Sequence, residues 1–345
     1  MMDIERYIFD VSNYISFIDS SKVVIKATTK RFQVKGDNIS TAIRDIIDYF
    51  TSPISISEVV LLLKDRYSEN SLKSLISLLI DKKVLIDESY SEHLKMYSRD
   101  YLEKIRYYSI GEKTLESLVD ELNSMNIGII GHKQFIDCLL YELLNGGLFL
   151  NFNLGVTDRI DSLNTYKEEP TASITYFPNI TEAKCLDDFV EKSDFIIVSS
   201  NYRDHYLYNR VNEACLKRNK EWVRIMIDGN YSEIGPLFIP DITSCYSCLN
   251  IREVSNMTED MYVFDDLDKN SKIHEEQRNI QIGLYSIYHF NHLVSGIACS
   301  EIMKYFTGID CNLLSQVVRI NSDDYEVQKE KIFRYHSCPT CSERR

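Results

Sequence analysis

The sequence predicts an α/β protein in two parts: a small helical module with a β-hairpin wing, then a larger doubly wound sheet tied off by a metal ion. Three observations predict it. Short β-branched runs, three amphipathic helical stretches and a closing strand fill residues 1–88. Buried strands alternate with helices from residue 125 onward. Two C-x-x-C pairs, Cys245-Tyr-Ser-Cys248 and Cys338-Pro-Thr-Cys341, stand 89 residues apart in the second part.

In the first part, Lys22-Val-Val-Ile-Lys-Ala27 and Arg31-Phe-Gln-Val34 are strand-forming runs separated by Thr28, Thr29 and Lys30, and they read as a hairpin. Asn38-Ile-Ser-Thr leads into a helix over 42–50, where Ile43, Ile46, Ile47 and Phe50 recur at helical spacing. Pro53 ends it. Ser55 or Ser57 caps a second helix carrying Val59, Val60, Leu62 and Leu63. A third starts at Asn70 or Ser71, stripes Leu72, Leu75, Ile76 and Leu79 on one side, and stops at Asp81-Lys-Lys. Val84-Leu-Ile86 closes the module as a strand. Hairpin, three helices and closing strand make a winged helix-turn-helix over residues 1–88.

A helix that reads DNA carries several exposed Arg or Lys. The third helix offers only Lys73, Lys82 and Lys83, against Glu69 and Asp81. The other use of this shape is peptide capture. An extended peptide adds as a strand beside Arg31, Phe32, Gln33 and Val34 and lies against the third helix at Leu72, Lys73 and Ile76. Lys22, Lys26, Lys30, Arg31, Lys35 and Lys73 make this region locally basic, which suits an acidic peptide. Lysines on an edge strand also protect it from aggregation, a reading that stands beside the first.

Residues 89–124 read as a polar helical connector with Leu94, Tyr97, Tyr101, Leu102 and Ile105, then Leu115, Leu118, Val119 and Leu122. The second part, 125–345, opens with a buried strand, Asn126-Ile-Gly-Ile-Ile-Gly131, and a helix carrying Phe135, Cys138, Leu139 and Leu143. Gly146-Gly147 ends that helix. Strands follow at 148–154 and at Phe195–Val198, a helix at 203–218, and a strand at Trp222–Ile227. Alternation at these lengths implies a doubly wound, Rossmann-type sheet. A phosphate at its first turn needs glycines where the backbone must approach the anion. Gly128-Ile-Ile-Gly131-His-Lys-Gln-Phe135 lacks G-x-G-x-x-G and places Phe135 where a small residue belongs, although Lys133 stands close by. The turn therefore reads as kept for its shape, with no cofactor-binding residue assigned and ATP not expected.

Cys245, Cys248, Cys338 and Cys341 suit four thiolates around one tetrahedral zinc, each pair forming a tight knuckle. A closed four-sulfur set leaves no open coordination position, so the zinc reads as structural. The competing reading is four unrelated reduced cysteines. The segment 253–276, with Asp265, Asp266, Asp268, Glu275 and Glu276, reads as an acidic loop, either solvated or facing a partner. His289 and His292 take no metal role, Cys299 is expected in a helix core, and no nucleophile set stands out, so no catalytic residue is assigned.

With 345 residues, 44% of them hydrophobic, the chain sustains about two packed domains. A net charge of −13 argues against nucleic acid. Five of the nine cysteines, at 138, 185, 215, 299 and 311, lie outside the C-x-x-C pairs. That odd count suits a reducing, cytoplasmic compartment. The opening MMDIERYIFD carries no signal-peptide pattern, and no run is long enough to span a membrane.

The order of parts resembles the ThiF/E1-like superfamily of adenylating proteins. The matching stretches are Ile127–Gly131, Phe195–Ser200, Asn209-Arg-Val-Asn212-Glu-Ala-Cys, Gly229 with Gly235-Pro, and Ser295-Gly-Ile-Ala-Cys-Ser-Glu301, together with the paired C-x-x-C. They cover about two-thirds of the chain. The first module resembles a RiPP recognition element, the leader-binding module of ribosomal peptide natural-product pathways. Together they resemble the C protein and ocin-ThiF type that partners YcaO cyclodehydratases, and the microcin-modifying enzymes. The resemblance implies a scaffold or regulatory subunit, a homodimer or hetero-complex, that presents a precursor peptide to a YcaO enzyme for thiazoline or oxazoline formation. Its alternative is an ATP-dependent adenylating enzyme acting on a peptide. A winged-helix transcription regulator is a third reading, which charge opposes. Active adenylating relatives carry an acidic ribose contact after the second strand and an Asp after the third. Here Gly155-Val-Thr-Asp158-Arg159-Ile-Asp161 and Ser199-Ser-Asn201 stand in those places, with Asp158 or Asp161 and Arg159 as substitutes or as plain loop residues.

Overall fold

The structure, a computed structural model, describes residues 5–10, 13–26, 31–88, 108, 115–146, 149–157, 172–200, 204–256 and 287–342. The chain divides into two compact units, 1–107 and 108–345. Most of the expected connector lies outside the described residues. Its last ten residues form helix α4 (Leu115–Ser124) of the second unit, where Leu118, Val119 and Leu122 are buried.

In the first unit, strands β2 (Tyr14–Asp19), β3 (Lys22–Lys26) and β4 (Arg31–Lys35) form an antiparallel meander in that order. A second sheet sets β1 (Arg6–Phe9) between β5 (Ile54–Ser55) and β6 (Leu85–Asp87). Helices α1 (Ile39–Tyr49), α2 (Ile56–Leu63) and α3 (Glu69–Asp81) complete the unit. Their apolar stripes meet the inward face of β3 and β4: Val23, Ile25 and Val34 pack with Ile43, Ile46, Val59, Leu63, Leu72, Ile76 and Leu79. Ser55 starts α2 through a reciprocal capping box with Glu58. The cap of α3 is Ser68, accepting from the Ser71 N–H at 3.2 Å, rather than Asn70 or Ser71 as the sequence suggested. The apolar stripe began at Leu72 and hid a first turn made of polar residues.

The second unit is built on an eight-stranded mixed sheet in the order β14-β13-β12-β11-β10-β7-β8-β9. Its strands are β7 (Asn126–Gly131), β8 (Asn151–Val156), β9 (Ser173–Tyr176), β10 (Phe195–Ser200), β11 (Glu221–Asp228), β12 (Tyr231–Phe238), β13 (Gln316–Asn321) and β14 (Val327–Lys331). Strands β7 to β11 run parallel, and β12 to β14 add an antiparallel extension. The doubly wound prediction thus holds for the parallel half. The antiparallel extension was not anticipated, because its strands are set by pairing with β11 and not by an alternation of their own. Helices α5 (Lys133–Gly146), α6 (Ala183–Lys192), α7 (His205–Arg218), α8 (Tyr246–Ser255) and α9 (Tyr288–Phe306) complete the unit. Strands β7, β8, β10 and β11 are buried along nearly their whole length, as parallel strands covered on both faces must be. An aromatic layer of Tyr208, Trp222, Phe238 and Tyr246 fills the core beneath α7 and α8, with Trp222 and Phe238 rings 4.4 Å apart. No helix among the described residues is long and apolar enough to cross a membrane.

The strand order reverses between β7 and β10, where α/β sheets open a ligand crevice at their carboxyl ends. The glycines of β7 serve packing there. A Cβ on Gly128 would meet Ser193 Oγ at 2.6 Å, and one on Gly131 would meet Ser199 Oγ at 1.9 Å. Gly131→Ala should therefore destabilise the fold by about 1–3 kcal/mol, and Ser199→Gly in the same chain should recover most of that loss. Urea unfolding of both variants checks it; no recovery in the double variant would show that the clash does not govern the site.

Candidate metal centre and peptide edge

Cys245 is the N-cap of α8 and Cys248 lies in its first turn, so the first knuckle is a helix start. Their partners arrive from the chain end beyond β14. All four side chains are buried. Sγ of Cys245 lies 3.7 Å from that of Cys248 and 3.6 Å from that of Cys338, and Cys248 lies 3.6 Å from Cys341. The four sulfurs fall within 4.8 Å of one another. Disulfide sulfurs stand about 2.05 Å apart, whereas a tetrahedron with metal–sulfur bonds of about 2.3 Å has edges of about 3.8 Å. The spacing is that of an ion's ligand shell.

The surroundings hold the knuckles in register. The Tyr335 N–H donates to Cys248 Sγ at 3.3 Å, the Ser247 and Thr340 hydroxyls bond at 2.7 Å, and Arg334 donates to the Cys341 carbonyl at 3.4 Å. A hydrogen bond from Cys245, joined by the Tyr335 N–H, holds the Cys248 thiol down at about 4, while the same contact and burial push Cys245 up. Sulfurs this close do not all ionise without a cation between them.

Two motifs singled out in the sequence do structural work around this centre. Asn212 on α7, 1% exposed, accepts the Tyr246 N–H at 2.9 Å and so docks α7 onto the start of α8. Glu301 on α9 accepts from Asn312 Nδ2 at 2.9 Å, from the Asn312 N–H, and from Lys304 at 2.6 Å, pinning the chain that enters β13. Cys299 lies buried in α9, as expected.

A buried charge network escaped the sequence reading. Arg224 on β11 is fully buried, pairs with Glu233 on β12, and reaches Glu253 on α8 at 3.5 Å. Arg319 on β13 bonds Glu233 at 2.9 Å and also pairs with Glu330 of β14, which Arg252 of α8 meets at 2.9 Å. Burial opposes the Arg224 charge, but Glu253 and Glu233 outweigh it and keep the guanidinium protonated. Glu253 therefore belongs to the core and not to an acidic loop. The remainder of that loop, 257–276, lies outside the described residues. Register and packing were the missing signals: Arg224, Glu233, Arg319 and Glu330 meet across paired strands, and Arg252 and Glu253 join them from α8.

At the β7–α5 turn, Lys133 Nζ bonds Asp137 at 2.7 Å, one helical turn on, and Phe135 is 2% exposed in the core. Ser199 and Ser200 end β10 as buried residues. Asp158, Arg159, Asp161 and Asn201 lie outside the described residues.

In the first unit, β4 pairs on one side only among the described residues. Phe32 and Val34 face the core, while Arg31, Gln33 and Lys35 are exposed. The Gly36 N–H bonds the Ser21 carbonyl at 3.0 Å, just past the Lys22–Lys35 pair. Antiparallel ladders alternate bonded and non-bonded pairs. The bonded pairs are therefore Val23–Val34 and Ile25–Phe32, which turns the backbone groups of Arg31, Gln33 and Lys35 to the open edge. On α3, the expectation that Leu72 and Ile76 line a groove is corrected: both are core residues, 2% and 0% exposed. The helix stripe that made them conspicuous is the stripe that packs inward. Lys73 is exposed and bonded to Glu69 at 2.6 Å.

A mixed Rossmann-type sheet with this crevice and a four-thiol knot at its end defines an E1-like α/β protein. The ThiF family model matches residues 158–340, more than half of the chain, and the chain belongs to the ThiF family. Among curated proteins it resembles protein HesA of Nostoc sp., 22% identical over 173 residues, which make up 50% of this chain and 58% of that one. The chain spans about half the length of the curated relatives it matches. Among solved structures, E. coli MccB with ATP superposes with TM-score 0.71 at 17% identity, over 97% of this chain and 99% of that one. The heterocyclase TruD superposes with TM-score 0.64 at 14% identity, over 99% of this chain and 43% of that one. The chain thus shares its fold with the microcin C7 biosynthetic enzyme MccB and with the heterocyclase TruD.

Glu301 yields an acid-side prediction. Burial raises its carboxyl, but the bonds from Lys304 and Asn312 outweigh this and bring it below the ordinary 4.5. A depressed folded value contributes stability that is complete above about pH 4.5 and fades as pH falls through that folded value. Glu301→Gln should cost about 1–2 kcal/mol at neutral pH and flatten the fall in stability on the acid side. Urea titrations across the acid range read both; an unchanged acid slope would remove Glu301 from the account.

Proposed function

We propose that this chain is a leader-binding scaffold or regulatory subunit of ribosomal peptide maturation. In this reading the first unit is a winged-helix recognition element. It captures the leader of a precursor peptide as a strand added to β4 and presents the rest of the peptide to a YcaO-type cyclodehydratase. The partner uses ATP to convert Cys, Ser or Thr side chains and their neighbouring amides to azolines with loss of water. The subunit contributes proximity, since a tethered substrate reacts as if intramolecular. The observation that carries the proposal is the open β4 edge, with the backbone groups of Arg31, Gln33 and Lys35 unused by the sheet. The fold likeness to E. coli MccB, solved with MccA, and to the heterocyclase TruD supports a peptide as the thing bound.

A second reading, an adenylating enzyme acting on a peptide, is favoured by one observation: the fold matches MccB over nearly the whole chain, and MccB was solved with ATP. The expectation that ATP does not bind draws no support from that likeness. Its support is local: Gly131 is packed against Ser199, and Phe135 is buried where a phosphate loop needs room.

One experiment separates the readings. A labelled precursor leader should bind the full chain in fluorescence anisotropy, and Gln33→Pro should weaken it at least tenfold with unchanged circular dichroism, because proline removes a donor from the pairing edge. Calorimetry with Mg-ATP on the protein alone should show no binding. Micromolar ATP binding with pyrophosphate release would establish the adenylating reading instead.

The four thiols we assign to one structural zinc. The ion would be held by the sulfurs of Cys245, Cys248, Cys338 and Cys341, with no position left for substrate. Elemental analysis should find one zinc per chain. Cys338→Ser should lose it and lower the Tm by roughly 10 °C, the shift that about 3–4 kcal/mol produces in a unit of this size. A well-folded, metal-free wild type would contradict the assignment.

A further inference from the structure

The strand-capture reading leaves open which peptide the edge takes, and the meander's register narrows it. On the face turned away from the helices the three strands place residues in rows: Tyr14, Lys26 and Arg31; Ser16, the covered Val24 and Gln33; Asp19, Lys22 and Lys35. Two rows set cations directly opposite each other, Lys26 against Arg31 and Lys22 against Lys35. Like charges in directly opposed positions destabilise a sheet. Asp19 stands beside Lys22, and its carboxyl is held low chiefly by hydrogen bonds from the Ser21 hydroxyl and N–H, with Lys22 a smaller contributor. Among the described residues no carboxylate forms an ion pair with Lys26, Arg31 or Lys35. Acidic and basic residues nearly balance over residues 1–88, so this charge belongs to one face and not to the whole unit. Unopposed cations along the strand with the open edge fit an anionic neighbour in the next strand position.

We infer, resting on the leader-capture reading, that this edge selects an extended segment of the pattern acidic–apolar–any–apolar–acidic. A strand paired with β4 sets successive residues opposite Lys35, Val34, Gln33, Phe32 and Arg31. Those opposite Lys35 and Arg31 share the cationic solvent face, where carboxylates relieve the repulsion. Those opposite Val34 and Phe32 share the inward face, where the buried Val34 and half-buried Phe32 present apolar surface. The pattern reads the same in both chain directions, so it holds for either strand polarity. A nucleic acid would also meet the cations, but its backbone has no alternating apolar face to set against Phe32.

The test uses the full chain at low ionic strength and three labelled synthetic peptides alike except at a central segment: Glu-Leu-Thr-Leu-Glu, the repatterned Leu-Glu-Thr-Glu-Leu, and the reversed Lys-Leu-Thr-Leu-Lys. The first should bind about tenfold tighter than the other two in anisotropy. Arg31→Glu with Lys35→Glu should lower affinity for the first about tenfold and raise it for the third by a like factor, two charge pairs being reversed. That gain also shows the variant to be folded. Equal affinity for the first two peptides, no measurable binding of the first, or an unchanged preference in the double variant would each overturn the inference. So would a DNA duplex that binds tighter than every peptide at the same salt. Gln33→Pro tells the two failures apart. If that variant binds the first peptide undiminished, strand capture itself is wrong. If it loses binding while the two patterns bind the wild type equally, capture stands and the specificity falls.

Discussion

Four sulfurs within 4.8 Å of one another fix the course of the end of this chain. Cys338 and Cys341 follow a stretch that includes α9, β13 and β14, and they close onto the first turn of α8. Thiolates this close repel one another, so a cation at the centre is what would let all four ionise. Much of the nearby structure serves to hold the knuckles still. Asn212 docks α7 on the α8 start, Arg334 bonds the Asp241 and Cys341 carbonyls, and Ser247 meets Thr340. The aromatic layer of Tyr208, Trp222, Phe238 and Tyr246 connects this corner to the sheet.

The antiparallel extension depends on a second constraint. Arg224, Glu233, Glu253, Arg319, Glu330 and Arg252 link β11, β12, β13, β14 and α8 through charges that have left water wholly or in part. Taking such charges out of water is costly, and losing one partner strands the others. The network acts more on register than on net stability: a slip of one residue in β12 or β13 would move Glu233 or Arg319 to the opposite face. The parallel half relies less on such a device, because β7 and β10 are mainly apolar runs and crossover helices fix strand order.

The two units use backbone differently. In the second, Gly128 and Gly131 let β7 and its neighbours approach closely, and Phe135 in the first turn of α5 is buried. In the first, the useful surface is an edge. Three backbone positions of β4 face outward beside exposed cations, while the helices serve as the wall of a core and keep that edge straight. The function proposed is one of presentation because the open edge of β4 is what the described residues of this unit offer to another chain.

Local pattern determined a good deal by itself. The stripes of α1, α2 and α3, the apolar runs of β7, β10 and β11, and the doubled C-x-x-C were legible because each is a repeat over a few residues whose physical cause is local. The motif residues Asn212 and Glu301 were visible, but not their partners. What tertiary structure decided were the relations between distant residues. Leu72 and Ile76 looked like a binding stripe and proved to be core, because one apolar period serves both and only packing says which face is covered. Strands β1, β2, β5, β9 and β12 to β14 were missed because pairing with a neighbour, not a pattern of their own, makes them strands. The Arg224 network and the opposed cations of β3 and β4 depend on register, which is set by how strands pair across the sheet and not by the period of either strand alone.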